Sequence, residues 1–157
     1  MDAIALRPLR FGERDPVLQV FTGLSDRSRR LRFLGAKPRL AERELDLLVD
    51  VGRCGHEAVA AVDAETGRAI GLARFVRDAD APEAEIAFEV VDEWQGRGVG
   101  RRLVAEIARV AREQGILRVR AVVDRSNAPA LALVRSLGDL VAQRAEGPAV
   151  ELVVRLA

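Results

Sequence analysis

Tyrosine is missing from this 157-residue chain, and cysteine, histidine, tryptophan and methionine occur once each. Each shortage excludes something. With Cys54 alone, no internal disulfide can close and no cysteine-rich zinc site can be assembled. Without tyrosine, no phenol can donate a proton in any reaction scheme. Lys37 is the only lysine, so the positive charge is almost all arginine: 25 Lys+Arg stand against 24 Asp+Glu, a net charge of +1. That balance argues against a dedicated nucleic-acid binder, which carries a basic excess. No apolar run approaches the ~20 residues of a membrane-spanning helix, and the opening residues do not read as a signal peptide. Nor do His, Cys, Asp and Glu cluster at metal-ligand spacing, so no metal is expected. What is present suits a packed interior: 49% hydrophobic and 31% charged residues. A single cytoplasmic domain over residues 1–157 is the expectation.

The apolar period changes along the chain. Ile4 and Leu6 alternate up to Pro8, a short strand. Asp15-Pro16 reads as an N-cap with proline at the first helical position, followed by Val17, Val20 and Phe21. Ser25 caps a second helix, and residues 40–49 form a third short helical pattern. Residues 57–63 and 69–76 are strands joined by the turn Ala64-Glu65-Thr66-Gly67, and Glu83 to Asp92 supplies another strand. On that strand Ile86, Phe88 and Val90 share one face, Glu85, Ala87 and Glu89 the other. From Gly98 the helical period returns, with Val99, Leu103, Ile107, Val110 and Ala111 on one stripe. A strand over 117–123, a helix over 127–137 and a last strand over 149–156 follow. The order β-α-α-β-β-β-α-β-α-β defines an α/β fold with a mixed, mostly antiparallel sheet rather than repeated βαβ units.

Chemistry concentrates where the fourth strand ends, in Gln95-Gly96-Arg97-Gly98-Val99-Gly100-Arg101-Arg102. Glycines allow several backbone N–H groups to converge on an anion, and the following helix start adds roughly half a positive charge. The spacing is not the dinucleotide fingerprint G-x-G-x-x-G, and no Gly-Lys-Ser/Thr ending makes it a P-loop.

These residues resemble the Q/R-x-x-G-x-G/A signature of the GCN5-related N-acetyltransferases (GNAT). Asn127, Ala130, Leu133 and Leu137-Gly138 resemble that family's later N-x-x-A-x-x-L-Y-x-x-L-G-F segment, and the element order agrees over nearly the whole chain. The resemblance implies the GNAT fold, with the sheet splayed after the fourth strand. It implies that Gln95, Gly96, Arg97, Gly98, Val99, Gly100, Arg101 and Arg102 cradle the pyrophosphate of acetyl-CoA. The pantetheine arm would then run along Glu89, Val90 and Val91, with Asn127 near it. Ser25 to Phe33, Gly55-His56-Glu57-Ala58 and Ala73-Arg74-Phe75-Val76 look like the bacterial protein-lysine acetyltransferase (Pat-type) branch. That branch often adds a regulatory domain, for which this chain has no room.

Amide formation from a primary amine needs a base, because an amine near pKa ~10 is mostly protonated at neutral pH. Glu85 matches the family's catalytic glutamate, and Glu89 is the second candidate. The backbone N–H of Glu89 is the expected oxyanion donor. The family's tyrosine position is Val134 here, which leaves water, Ser126 or Ser136 to protonate the thiolate. The expected reaction is acetyl transfer to a protein lysine, on a monomer or homodimer. The alternatives are a small amine acceptor or a silent acyl-CoA-binding module. Four arginines on the second helix could attract an acidic protein surface or the CoA phosphates, or form a solvated face. Cys54 and His56 read as structural, and Trp94 as packing under the glycine loop.

Overall fold

The computed structural model describes residues 3–52 and 55–157, so Cys54 lies outside the described residues. Strands β1 (Ile4–Pro8), β2 (His56–Asp63), β3 (Ala69–Val76), β4 (Glu83–Val90), β5 (Arg118–Asp124), β6 (Gly138–Glu146) and β7 (Ala149–Leu156) form one sheet. Their order is β1-β2-β3-β4-β5-β7-β6. Helices α1 (Arg14–Thr22), α2 (Asp26–Phe33), α3 (Glu42–Leu48), α4 (Val99–Glu113) and α5 (Ala128–Arg135) complete the fold.

Local chemistry explains the connections. The β2–β3 turn closes because Asp63 accepts from the Glu65 N–H and the Thr66 hydroxyl, both at 3.0 Å, with Gly67 at φ +75°. Antiparallel pairing continues through β4. The α4 crossover then returns the chain in the same direction, so β5 pairs with β4 in parallel. Ser25 caps α2 by accepting from the Ser28 N–H at 3.1 Å, and Asn127 caps α5.

Packing is two-sided. Apolar residues of α4, among them Leu103, Val104 and Ile107, press on one face of the sheet, and Val17 and Val20 of α1 cover the other. Between them β3 is buried from Ala69 to Phe75. The helix α2 differs, since it buries no residue.

Two features depart from the sequence expectations. Helix α1 begins at Arg14, with Glu13 rather than Asp15 at its N-cap. The Glu13 carboxylate bonds the Arg10 N–H at 3.0 Å and Arg7 at 2.6 Å, closing the turn earlier. Pro16 then stands in the first helical turn, where its missing N–H leaves no bond unmade. The second departure is β6, a strand absent from the expected order. All its residues but Gly138 are exposed, and its ladder to β7 shifts register between Leu140 and Ala142. An exposed edge strand carries no apolar alternation for periodicity to detect.

The gap between β4 and β5 follows from the register. Only Glu83, Ala84 and Glu85 pair with β5, opposite Arg118, Val119 and Arg120. Beyond Glu85, β4 stays on β3 and β5 stays on β7 along their full lengths, so the two strands diverge.

On the α1 side of the sheet, Arg74 is 5% exposed. Its Nη1 donates to the Leu48 carbonyl at 2.9 Å and to His56 Nε2 at 3.0 Å. Burial, then the Arg74 charge, push the His56 pKa down to about 4, against a partial counter-effect from the Asp50 backbone. A depressed histidine pKa means the unfolded chain binds the extra proton first, so this stability is complete above about pH 6.5 and is lost as pH falls toward 4. With screening of the partly exposed ring, the loss is about 1–2 kcal/mol. Urea midpoints measured from pH 7 to 4.5 should show this acid loss, and His56→Gln should flatten it.

Candidate active site

Backbone alternation decides which groups face the gap. The Val91 N–H bonds the Ile70 carbonyl of β3 at 2.9 Å. With Leu72 opposite Glu89, period two sends the Glu89 N–H to β3 as well. The backbone groups of Phe88 and Val90 therefore turn toward β5 and, past the last paired residue, into the gap. The Pro82 carbonyl, in the same phase, accepts from Leu117 and Arg118 at 2.8 and 3.1 Å. Of the expected contacts Glu89, Val90 and Val91, this phase engages the N–H groups of Glu89 and Val91 in the ladder with β3 and leaves that of Val90, with that of Phe88, toward the gap.

At the mouth of the gap, one 3₁₀ turn, Asp92–Trp94, leads into the glycine loop. Gly96 and Gly98 have φ +76° and +83°, and an added Cβ at either would meet nothing within 4 Å. Their role is conformational, and the space over them is open. Gly100 has a different role, since a Cβ there would stand 3.0 Å from Leu133 Cδ1, so it lets α4 approach α5 closely. The first N–H groups of α4 have no intrahelical partner and form its positive end.

This loop, α2, β4 and the start of α5 enclose a cleft of about 780 Å³. Glu89, Val90, Gln95, Gly96, Gly98, Val99, Gly100, Arg101 and Asn127 all line it. Gln95 is a brace: its Nε2 donates to the Val90 carbonyl at 2.9 Å and to Ser28 Oγ at 3.3 Å. Asn127 Oδ1 accepts from the Ala130 N–H.

Other candidates stand elsewhere. The Arg97 guanidinium lies 4.8 Å over the Trp94 ring, and Trp94 packs against the core. Arg102 turns toward β1, donating to the Ile4 carbonyl at 3.3 Å. Val91 is buried. Glu85 lies outside the cleft lining, on the sheet face that also carries Glu89, with its side chain 50% exposed and 2.8 Å from Arg120 Nη2. Arg120 also reaches Glu151 at 3.5 Å and Glu83 at 3.7 Å, so three carboxylates surround one cation.

Both candidate hydroxyls are committed. Ser126 lines the cleft, but its Oγ–H donates to Asp124 at 2.6 Å, leaving lone pairs to face outward. The same hydroxyl and the Ser126 N–H hold the Asp124 carboxyl below the usual carboxylate range. Ser136 donates to the Leu133 carbonyl at 2.6 Å. Val134 is completely buried.

The wall contributed by the Leu24–Phe33 segment contains residues that the Pat-type resemblance covered but that received no site role from the sequence. Leu24, Leu31, Ser28, Arg27 and Arg32 line the cleft, and Arg32 Nε meets Glu89 Oε2 at 2.7 Å. Arg29 lies 4.0 Å over the Phe21 ring and bonds its carbonyl at 2.9 Å, whereas Arg27 and Arg30 are exposed. The dense arginine run was the available signal, but its sorting into structural and outward members needed Glu89 and Phe21 in space.

The sheet is thus split between two parallel strands, with a glycine loop and a helix start at the mouth of the split. The chain belongs to the Acetyltransferase (GNAT) family, whose model matches residues 27–139; it is an N-acetyltransferase, and the family draws on acetyl-CoA. It is 30% identical over 156 residues to the acetyltransferase PA5475 of Pseudomonas aeruginosa, covering 98% of this chain and 83% of that protein. It is 32% identical over 135 residues to the acetyltransferase Pat of Mycolicibacterium smegmatis, covering 85% of this chain and 40% of that protein. The GNAT domain of S. lividans Pat superposes with a TM-score of 0.85 at 29% identity, covering 99% of this chain and 97% of that one. Among the described residues no helix is long and apolar enough to cross a membrane, and no group of three or more His, Cys, Asp or Glu is placed to hold a metal ion.

The cradle is tested at Gly98. Gly98→Ala strains a left-handed position, at about 1–2 kcal/mol, and Gly98→Glu adds negative charge where phosphates would sit. Calorimetric titration with CoA should show a small loss of affinity for the first and at least a roughly tenfold loss for the second.

Proposed function

We propose that this single domain acetylates a protein lysine from acetyl-CoA by direct attack, with Glu85 as general base. The observation that carries this reading is the position of Glu85. It is the last β4 residue paired with β5, at the vertex where the gap opens, and its carboxylate remains half exposed. Glu89 shares the sheet face of Glu85 but is 10% exposed and engaged by Arg32. That makes it an anchor for the cleft wall rather than the first choice of base.

Acetyl-CoA fits the residues present. Gly96 and Gly98 leave space for a pyrophosphate, and the start of α4, with Arg101 at hand, would hold it. Phe88 and Val90 would pair with the pantetheine amides as a neighbouring strand would. The thioester supplies the activated acetyl group. Glu83, Glu85 and Glu151 against Arg118 and Arg120 leave one surplus negative charge beside the vertex, which would attract a lysine ammonium. The amine loses its proton toward Glu85, directly or through water. The oxyanion takes a hydrogen bond from a gap-facing N–H, that of Phe88 or Val90. The thiolate, with an acidity near ~8.5, takes its proton from solvent. Arg27 and Arg30, exposed on α2, would meet acidic residues of the acceptor protein.

Glu85→Gln should lower kcat by roughly 10²–10³ near neutral pH, with partial recovery at high pH where the amine deprotonates unaided. Glu89→Gln should act chiefly on KM. Wild-type turnover by Glu85→Gln removes Glu85 as base. Thiol release measured over lysine peptides, polyamines, amino acids and aminoglycosides identifies the acceptor, and release with small amines alone overturns the protein-lysine reading.

A further inference from the structure

Arg74 carries an unused recognition surface. Its Nη1 is taken by Leu48 and His56, whereas its buried Nε and Nη2 have no partner among the described residues. Those two nitrogens form one side of the guanidinium fork, whose parallel N–H bonds match the two oxygens of a carboxylate. Burial lowers the Arg74 pKa to about 10, still well above neutral, so the fork stays charged.

Glu89 is the carboxylate the fold places near it. In the antiparallel register Leu72 opposes Glu89 and Arg74 opposes Ala87, so Arg74 and Glu89 are diagonal neighbours on the face toward α2. Glu89 instead bonds Arg32 at 2.7 Å, across the cleft wall. Besides the contact of its Phe33 with the Phe21 ring, at 6.0 Å between centroids, the helix bearing Arg32 is attached through polar contacts: this ion pair, Ser25 N–H to Asp92 at 2.9 Å, Gln95 to Ser28 at 3.3 Å, and Arg29 on Phe21. Glu89, at 10% exposure, has less access to water than Arg32 at 18%.

We propose that the Nε/Nη2 side of Arg74 is a second seat for the Glu89 carboxylate, making Arg74 a positioning residue of the cleft. With α2 closed, Glu89 sits on Arg32. When α2 moves outward to admit the cosubstrate, Glu89 turns onto Arg74 and stays charge-paired. The exchange moves no proton and breaks no covalent bond.

The experiment uses protein labelled with ¹⁵N-arginine and follows the Nε–H resonance of Arg74, assigned by its loss in Arg74→Lys. Arg32→Ala should shift that resonance, because Glu89 takes the second seat, and Arg32→Ala/Glu89→Gln should return it toward the wild-type position. The same position in all three proteins overturns the proposal. CoA titration supplies a second readout. Losses of affinity in Arg32→Ala and Arg74→Lys should combine to exceed their product by roughly fivefold or more, and the excess should vanish in a Glu89→Gln background. Simple additivity overturns the shared-seat model. If Arg74→Lys does not fold, the resonance is assigned instead by its displacement in His56→Gln, whose ring contacts Arg74, and is followed through Arg32→Ala and Arg32→Ala/Glu89→Gln, which leave Arg74 in place.

Discussion

Three residue pairs between β4 and β5 determine the rest of the site. Glu83, Ala84 and Glu85 bind the two halves of the sheet into one body, and the absence of further register pairs opens the space beyond them. Longer pairing would close the gap and bury the Phe88 and Val90 backbone in the ladder. Shorter pairing would leave the halves joined chiefly through helices. The vertex is stable because each strand is secured by its other neighbour, β4 by β3 and β5 by β7. Divergence therefore leaves each strand's outer ladder intact.

Around this vertex, the glycines have distinct functions. Gly96 and Gly98 supply backbone conformations that other residues adopt at a cost, whereas Gly100 and Gly71 supply proximity. A Cβ on Gly71 would meet Leu103 at 2.7 Å, so α4 lies close on β3 just behind the cleft. Loop and helix start are thereby fixed by packing on one side and remain open on the other. The opposite wall, α2, has no comparable apolar anchoring.

Much of this was legible in the chain because it is local. The Ser25 cap, the β2–β3 turn and the α4 stripe depend on residues within a few positions of one another. The glycine loop was legible for the same reason, as a contiguous run between a strand and a helix. The Arg32–Glu89 pair joins residues 57 positions apart, and no spacing rule connects them. Strand β6 was hidden because an exposed edge imposes no hydrophobic pattern. The phase of β4 is subtler: alternation separates Glu89 from Val90, but which of them faces the gap is set by the register with β3. Asp15 before Pro16 suggested a cap, yet Glu13, tied to Arg7 and Arg10, offered the chain an earlier one.

The attachment of α2 also has a solvent consequence. Sheet and α4 are secured by buried hydrocarbon, which moderate salt leaves largely untouched. The links at Arg32, Ser25, Ser28 and Arg29 draw on charge and hydrogen bonding near the surface, where mobile ions screen over about 8–10 Å. Ionic strength therefore acts selectively here, loosening one wall of the cleft while the scaffold behind it keeps its shape.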